Sequence, residues 1–163
     1  MKSSSKFTHI LKLAVAVAWG VAITPTVASA HDPDGIEGVW QVTRHGVNCQ
    51  TGLPVNSFQA IMAFNKDGIV TGYAVPPGST PANGSPEYGT WQREKGPQSY
   101  SFKILSYGYD DNGAFDGSVR VSGNTELARG GDTFSYVATI QFLAADGTPL
   151  FSVCGAATGT RFD

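Results

Sequence analysis

Turn signals at a fixed interval constrain this chain more than any other feature. Lys95-Gly96-Pro97, Asp110-Asp111-Asn112-Gly113, Arg129-Gly130-Gly131-Asp132 and Ala145-Asp146-Gly147 place glycines at 96, 113, 130 and 147, a constant spacing of 17 residues. Asp-Gly and Asn-Gly pairs favour tight hairpin turns because Gly reaches positive φ without a Cβ clash. One such interval holds one strand and one turn, so the second half of the chain reads as consecutive hairpins. Asn65-Lys66-Asp67-Gly68 is an earlier turn of the same kind. Gly and Pro interrupt nearly every window long enough for a helix, and β-branched and aromatic residues fill the rest.

Strands are predicted at 37–45, 57–64, 69–75, 88–94, 99–109, 114–127, 133–143 and 148–162. Alternation is clearest in two of them. Phe115, Gly117, Val119 and Val121 share one face, opposite Asp116, Ser118, Arg120 and Ser122. Phe134, Tyr136, Ala138, Ile140 and Phe142 face away from Ser135, Thr139 and Gln141. One apolar and one polar face describes a sheet wetted on one side. Strands joined by hairpins must hide both the apolar face and the edges, and closure does both. The expected fold is all-β, a single eight-stranded antiparallel up-and-down β-barrel over residues 37–163. A two-sheet sandwich is the alternative, but the second half of the chain lacks the long crossovers it would need.

Ahead of the barrel, Lys2, Lys6 and Lys12 precede or flank an apolar run from Leu13 to Ile23, and Ala28-Ser29-Ala30 is an A-x-A cleavage site. This reads as a signal peptide over 1–30, with 31–36 a flexible N-terminus. The run is too short for the ~20 residues a membrane-spanning helix needs, so no membrane span is expected and the destination is periplasmic or secreted. All three leader lysines are lost on cleavage and no acid is lost, which leaves an acid-rich chain. Nucleic-acid binding loses its electrostatic driver. In an oxidising compartment Cys49 and Cys154 are expected to close a disulfide.

Parity places the loops. Connections of a meander alternate between the two ends, and the two long ones, 46–56 and 76–87, fall at the same end. One end is tightly stitched and the other carries two long flaps, as in a ligand-holding barrel. The mouth is expected to be lined by Tyr73, Tyr88, Tyr107 and Tyr109, rings with an apolar body and a polar tip. The inward set pairs aromatics (Phe58, Phe64, Tyr100, Phe102, Phe115, Phe134, Tyr136, Phe142) with small residues (Gly72, Ala74, Gly117, Gly123, Ala138). That pattern suits a hollow interior or a solid one.

Gly38-Val39-Trp40, at the start of the first strand, resembles the G-x-W that opens lipocalins and related calycin barrels, including the avidins. The segment Asp67-Gly68-Ile69-Val70-Thr71-Gly72-Tyr73 is also similar to the opening of an avidin barrel. The resemblance implies that Gly38 and Trp40 close the barrel floor and that Arg161, at the end of the last strand, stacks over the Trp. The lipocalin T-D-Y motif and the later avidin tryptophans are missing, so neither a true lipocalin nor biotin binding is implied. If the sheet closes, the first and last strands pair with a constant index sum. Trp40–Arg161 and Cys49–Cys154 ask for nearly the same register.

Catalytic signatures are scarce. His31 and His45 are the histidines beyond the leader, and His45, beside Arg44, reads as a solvated strand-end residue. His31 with Asp32 and Asp34 reads as a frayed tail. There is no H-x-x-x-H, C-x-x-C or G-x-S-x-G motif. Asp110 to Gly113 lacks the distal Glu of a calcium loop, since position 121 is Val121, and a hairpin turn is expected. No metal, cofactor or catalytic residue is expected. The leading reading is a non-catalytic barrel that binds a small hydrophobic ligand at its mouth. A protein partner, as for a periplasmic protease inhibitor, is a second reading. A cyclase or isomerase on an allene-oxide-cyclase-like barrel is a third, which a polar group deep inside a cavity would favour.

Overall fold

The computed structural model describes residues 35–162. The leader and the His31, Asp32 and Asp34 group lie outside the described residues. Eight strands follow in order: β1 (Gly38–Val47), β2 (Phe58–Phe64), β3 (Ile69–Val75), β4 (Glu87–Arg93), β5 (Ser99–Tyr109), β6 (Phe115–Leu127), β7 (Thr133–Ala144) and β8 (Pro149–Arg161). A single 3-10 turn, Pro81–Asn83, sits between β3 and β4. Each strand pairs with its sequence neighbours and β1 pairs antiparallel with β8, so the sheet is a closed up-and-down barrel. This is the architecture that the opening G-x-W implies.

The turns form for the expected local reasons. In the β5–β6 turn the Asp110 Oδ1 accepts the Asn112 and Ala114 amides at 2.9 and 2.8 Å, and Gly113 takes φ 78°. In the β7–β8 turn Asp146 Oδ1 accepts the Thr148 amide at 2.8 Å beside Gly147 at φ 85°. Asp110 and Asp146 are thus turn residues, and both carboxyls sit below their ordinary pKa because backbone amides favour the charged form. In the β6–β7 turn the left-handed residue is Gly131, not the evenly spaced Gly130.

Closure sets layers across the interior. Along the β1–β8 seam Trp40 pairs with Arg161, Val42 with Gly159, Arg44 with Ala157 and Gly46 with Gly155. Along the β7–β8 seam Phe134 pairs with Gly159, Tyr136 with Ala157, Ala138 with Gly155 and Ile140 with Val153. Large inward side chains are seated against small ones. A Cβ on Gly159 would meet the Phe134 ring at 2.4 Å, and one on Gly123 would meet the Phe102 ring at 2.6 Å.

The lower half is solid. Trp40, Val42, Met62, Phe64, Val70, Phe102 and Phe134 are all buried. Trp40 and Phe134 meet edge to face at 4.9 Å, and Phe64 contacts both Phe134 and Trp91 at 6.0 Å. Ile36, assigned by sequence to the flexible segment before the barrel, is fully buried, and its carbonyl accepts the Trp40 Nε1–H at 2.9 Å. The ordered floor therefore begins before residue 37. Arg161 closes it from outside. Its guanidinium lies 4.2 Å from the Trp40 ring centroid and donates to the carbonyls of Gly35, Glu37 and Gly131 at 2.7–2.9 Å.

One inward assignment is overturned. Phe115 is 46% exposed and packs edge-on against Tyr107 at 5.7 Å. The β5–β6 register shifts there, with Gly108 opposite Gly117 but Tyr109 opposite Phe115, leaving Asp116 as the extra residue. A bulge adds one residue to the alternation and so moves the next side chain to the other face. Gly117 makes the bulge possible: its φ is 149°, and a Cβ would lie 2.3 Å from the Leu143 carbonyl oxygen.

Candidate functional site: a cavity at the looped end

The upper half of the barrel is hollow. A cavity of about 400 Å³ opens among Gly46, Asn56, the 76–85 loop and the upper parts of β1, β3 and β5 to β8. Its apolar wall includes Phe58, Ala74, Val119, Val121, Ala138, Ile140 and Phe142. Space opens here because the inward residues become small: Ala74, Ser106, Gly108, Ala138 and Gly155 occupy positions that hold Trp, Phe or Met lower down.

Both long connections are at this rim, as parity requires. The first is tied down covalently and by local bonds. Cys49 is joined to Cys154 with Cα atoms 5.3 Å apart. Asn56 Oδ1 accepts the Gly46 amide at 2.8 Å, and Asn48 Oδ1 accepts the amides of Gln50 and Thr51 at 2.9 Å. The second loop leans on β5. The Ser85 amide donates to the Tyr107 carbonyl, the Tyr107 amide donates to Ser85 Oγ, both at 2.9 Å, and Gly84 bridges Gly108. Pairing between β3 and β4 stops at Gly72 with Glu87, so Tyr73, Ala74 and Val75 have no β4 partner. The wall is notched beside the cavity.

An ion pair crosses the barrel at the base of the cavity. Arg44 Nη1 and Nη2 donate to Glu87 Oε1 and Oε2 at 2.6 and 2.7 Å, and each residue is only 7% exposed. Two parallel bonds make this a bidentate pair. Gly72 creates the room, since a Cβ there would lie 2.7 Å from Glu87 Oε2. Arg44 Nε is buried with no partner. Burial alone would weaken Arg44's hold on its proton. The hydrogen bonds and charge of Glu87, helped by Tyr136, outweigh it and leave the guanidinium above its ordinary pKa. Burial is also the largest influence on Tyr136, pushing its hydroxyl up to about 12 against the opposing pull of Arg44. Around neutral pH Arg44 is therefore a guanidinium and Tyr136 a protonated phenol.

The four tyrosines expected at the mouth divide. Tyr73 and Tyr107 border the cavity, 37% and 47% exposed. Tyr88 points away on β4, 61% exposed, because Glu87 takes the inward position beside it. Tyr109 is not part of the cavity wall; its carbonyl accepts from Asn83 Nδ2 at 3.3 Å. His45 is half-buried at the cavity edge with Nδ1 unpartnered, rather than solvated. Sequence reasoning missed Arg44 and Glu87. The signal for Arg44 was present, because Trp40, Val42 and Arg44 share the inward parity of β1. Glu87 carried none, sitting at the end of a Pro- and Ser-rich loop.

No group of His, Cys, Asp and Glu suited to holding a metal occurs among the described residues. No helix among them is long and apolar enough to cross a membrane. Neither a protein-family model nor a curated protein matches this sequence.

Proposed function

We propose that this is a calycin-like carrier or sensor barrel, exported by its leader, that binds a small hydrophobic molecule in the upper cavity without transforming it. The observation that carries the reading is the cavity itself. It lies within the ~300–1,000 Å³ range of small-molecule pockets, has mainly apolar walls, and sits at the end where both long loops gather. The disulfide fits an oxidising compartment outside the cytoplasm. Tyr73 and Tyr107 are the mouth tyrosines nearest an incoming ligand, at the notch left by the short β3–β4 pairing. Titration with the neutral apolar fluorophore N-phenyl-1-naphthylamine tests it. Saturable binding is expected, weakened by shortening the 76–86 loop and unchanged by Trp40→Phe, which lowers the melting temperature instead. Absence of saturable binding sinks the reading.

A second reading rests on the polar group inside the cavity. In a cyclase or isomerase, Arg44 would polarise a carbonyl and Tyr136 would lend a proton. The bidentate pairing commits both Glu87 oxygens to Arg44 and leaves no free carboxylate beside them among the described residues, so binding without turnover is preferred. Recovery of a bound ligand as an isomer would reverse that preference.

A further inference from the structure

We infer that the cavity selects an uncharged hydrophobic molecule bearing a hydrogen-bond acceptor at one end, a ketone or ester oxygen, and rejects fatty-acid-like carboxylates. This deepens the small-molecule reading above and rests on it. Three observations point the same way. Among the described residues, Arg44 and Glu87 are the only Lys, Arg, Asp or Glu residues lining the cavity, and they neutralise each other in a bidentate pair. A second carboxylate brought into this buried site would have to compete with Glu87 for Arg44 and would face its charge in a medium of low polarity. Beside the ion pair two hydrogen-bond donors remain, while His45 Nδ1 lies unpartnered at the cavity edge. Arg44 Nε–H is buried and unpartnered in a residue that forms part of the cavity wall, and the Tyr136 hydroxyl keeps its proton beside it. A buried donor without a partner is costly, and a neutral acceptor oxygen relieves that cost without bringing a charge.

The remainder of the lining selects for an apolar body. Val119, Val121, Ala138, Ile140 and Phe142 rise from the ion pair to the rim. A ligand entering with its oxygen first would bond at the base and leave its hydrocarbon against these residues.

The test compares three molecules of equal chain length, about ten carbons, as competitors of N-phenyl-1-naphthylamine on the disulfide-bonded protein at pH 8. They are a methyl ketone, the alkane and the fatty-acid carboxylate. The ketone should bind roughly three- to tenfold more tightly than the alkane, the size of one net hydrogen bond, and at least about tenfold more tightly than the carboxylate. Glu87→Gln keeps the shape but leaves Arg44 as an uncompensated cation, so the preference between ketone and carboxylate should invert. The double change Arg44→Met with Glu87→Met, built on Tyr136→Phe so that both donors are gone, keeps an apolar, foldable interior and should bind ketone and alkane equally. The inference is overturned if the carboxylate binds wild type as well as the ketone does, or if this combined variant keeps the ketone preference. If the fluorophore and all three competitors fail to bind wild type, the small-molecule reading falls too. If they bind without discrimination, only the selectivity falls.

Discussion

The two halves of the barrel use the same strands and the same alternation, yet one is solid and the other hollow. Below Arg44 the inward positions hold Trp40, Met62, Phe64, Phe102 and Phe134, with glycines cut to fit the rings. Above it they hold Ala74, Ser106, Gly108, Ala138 and Gly155, and about 400 Å³ stays open. The stabilising devices differ accordingly. The floor is held by dispersion, burial and the Trp40–Arg161 stack. The mouth has few large contacts and is held by a disulfide, side-chain-capped loops and a buried ion pair. Stability and binding capacity are thus concentrated at opposite ends of one sheet.

Substitutions that act on one end alone would sharpen this contrast. Trp40→Ala should have the largest effect on stability, about 3–5 kcal/mol by urea denaturation, as expected for a large aromatic removed from a packed core. The folded fraction should keep its affinity for the apolar fluorophore. A loss of affinity in step with stability would mean that the two halves are not separable.

Removing the disulfide with Cys49→Ser should cost roughly 2–4 kcal/mol. The closed loop spans 105 residues of sequence, and the loss acts mainly through the entropy of the unfolded chain. Because Cys49 anchors the rim, dissociation of the fluorophore should also accelerate. Unchanged dissociation would show that the 46–56 loop plays no part in the mouth.

Tyr136 stands at the boundary between the halves, and its expected signature is a pH dependence. An unfolded tyrosine titrates near ~10, whereas burial raises Tyr136 to about 12. The fold holds this proton more tightly than the unfolded chain does. Its stabilisation is therefore complete below about pH 10 and is lost as pH rises through 12, on the order of 2–3 kcal/mol in all. Urea midpoints measured from pH 9 to 12 should fall more steeply for wild type than for Tyr136→Phe. Parallel curves would place the hydroxyl in water.

Ala138→Leu should change stability by less than about 1 kcal/mol, because the added carbons enter open space rather than a packed core, yet it should reduce fluorophore affinity at least about tenfold. Overpacking strain at this position would show that the cavity is closed. The smallest effect is expected at Thr125, whose buried Oγ1 has no partner in the solid half. Thr125→Val should be neutral or raise stability by up to about 1 kcal/mol, since it removes an unmet polar group at constant shape.

Strand count, order and register were legible from local signals. Asp-Gly turns fix where hairpins reverse, alternation fixes which side chains face inward, and a meander of eight strands has no good way to hide its edges except closure. The register of the closing seam followed as well, since Trp40 lies opposite Arg161. Where a bulge intervened the alternation misled, because nothing in the sequence around Gly117 marks the extra residue at Asp116.

What the sequence by itself determined is therefore the one-dimensional pattern: the strands, their turns, their inward faces and the end at which the long loops gather. Whether the interior was solid or hollow was settled only in three dimensions. A barrel interior is filled by layers drawn from non-adjacent strands, and whether Phe134 meets Gly159 or Ala138 meets Gly155 depends on shear and register across the whole sheet. The Arg44–Glu87 pair belongs to the same class. Two charges 43 residues apart carry no local sign of each other, and each would read as surface alone. Only closure brings them into the same dry interior, where each makes the other's burial tolerable.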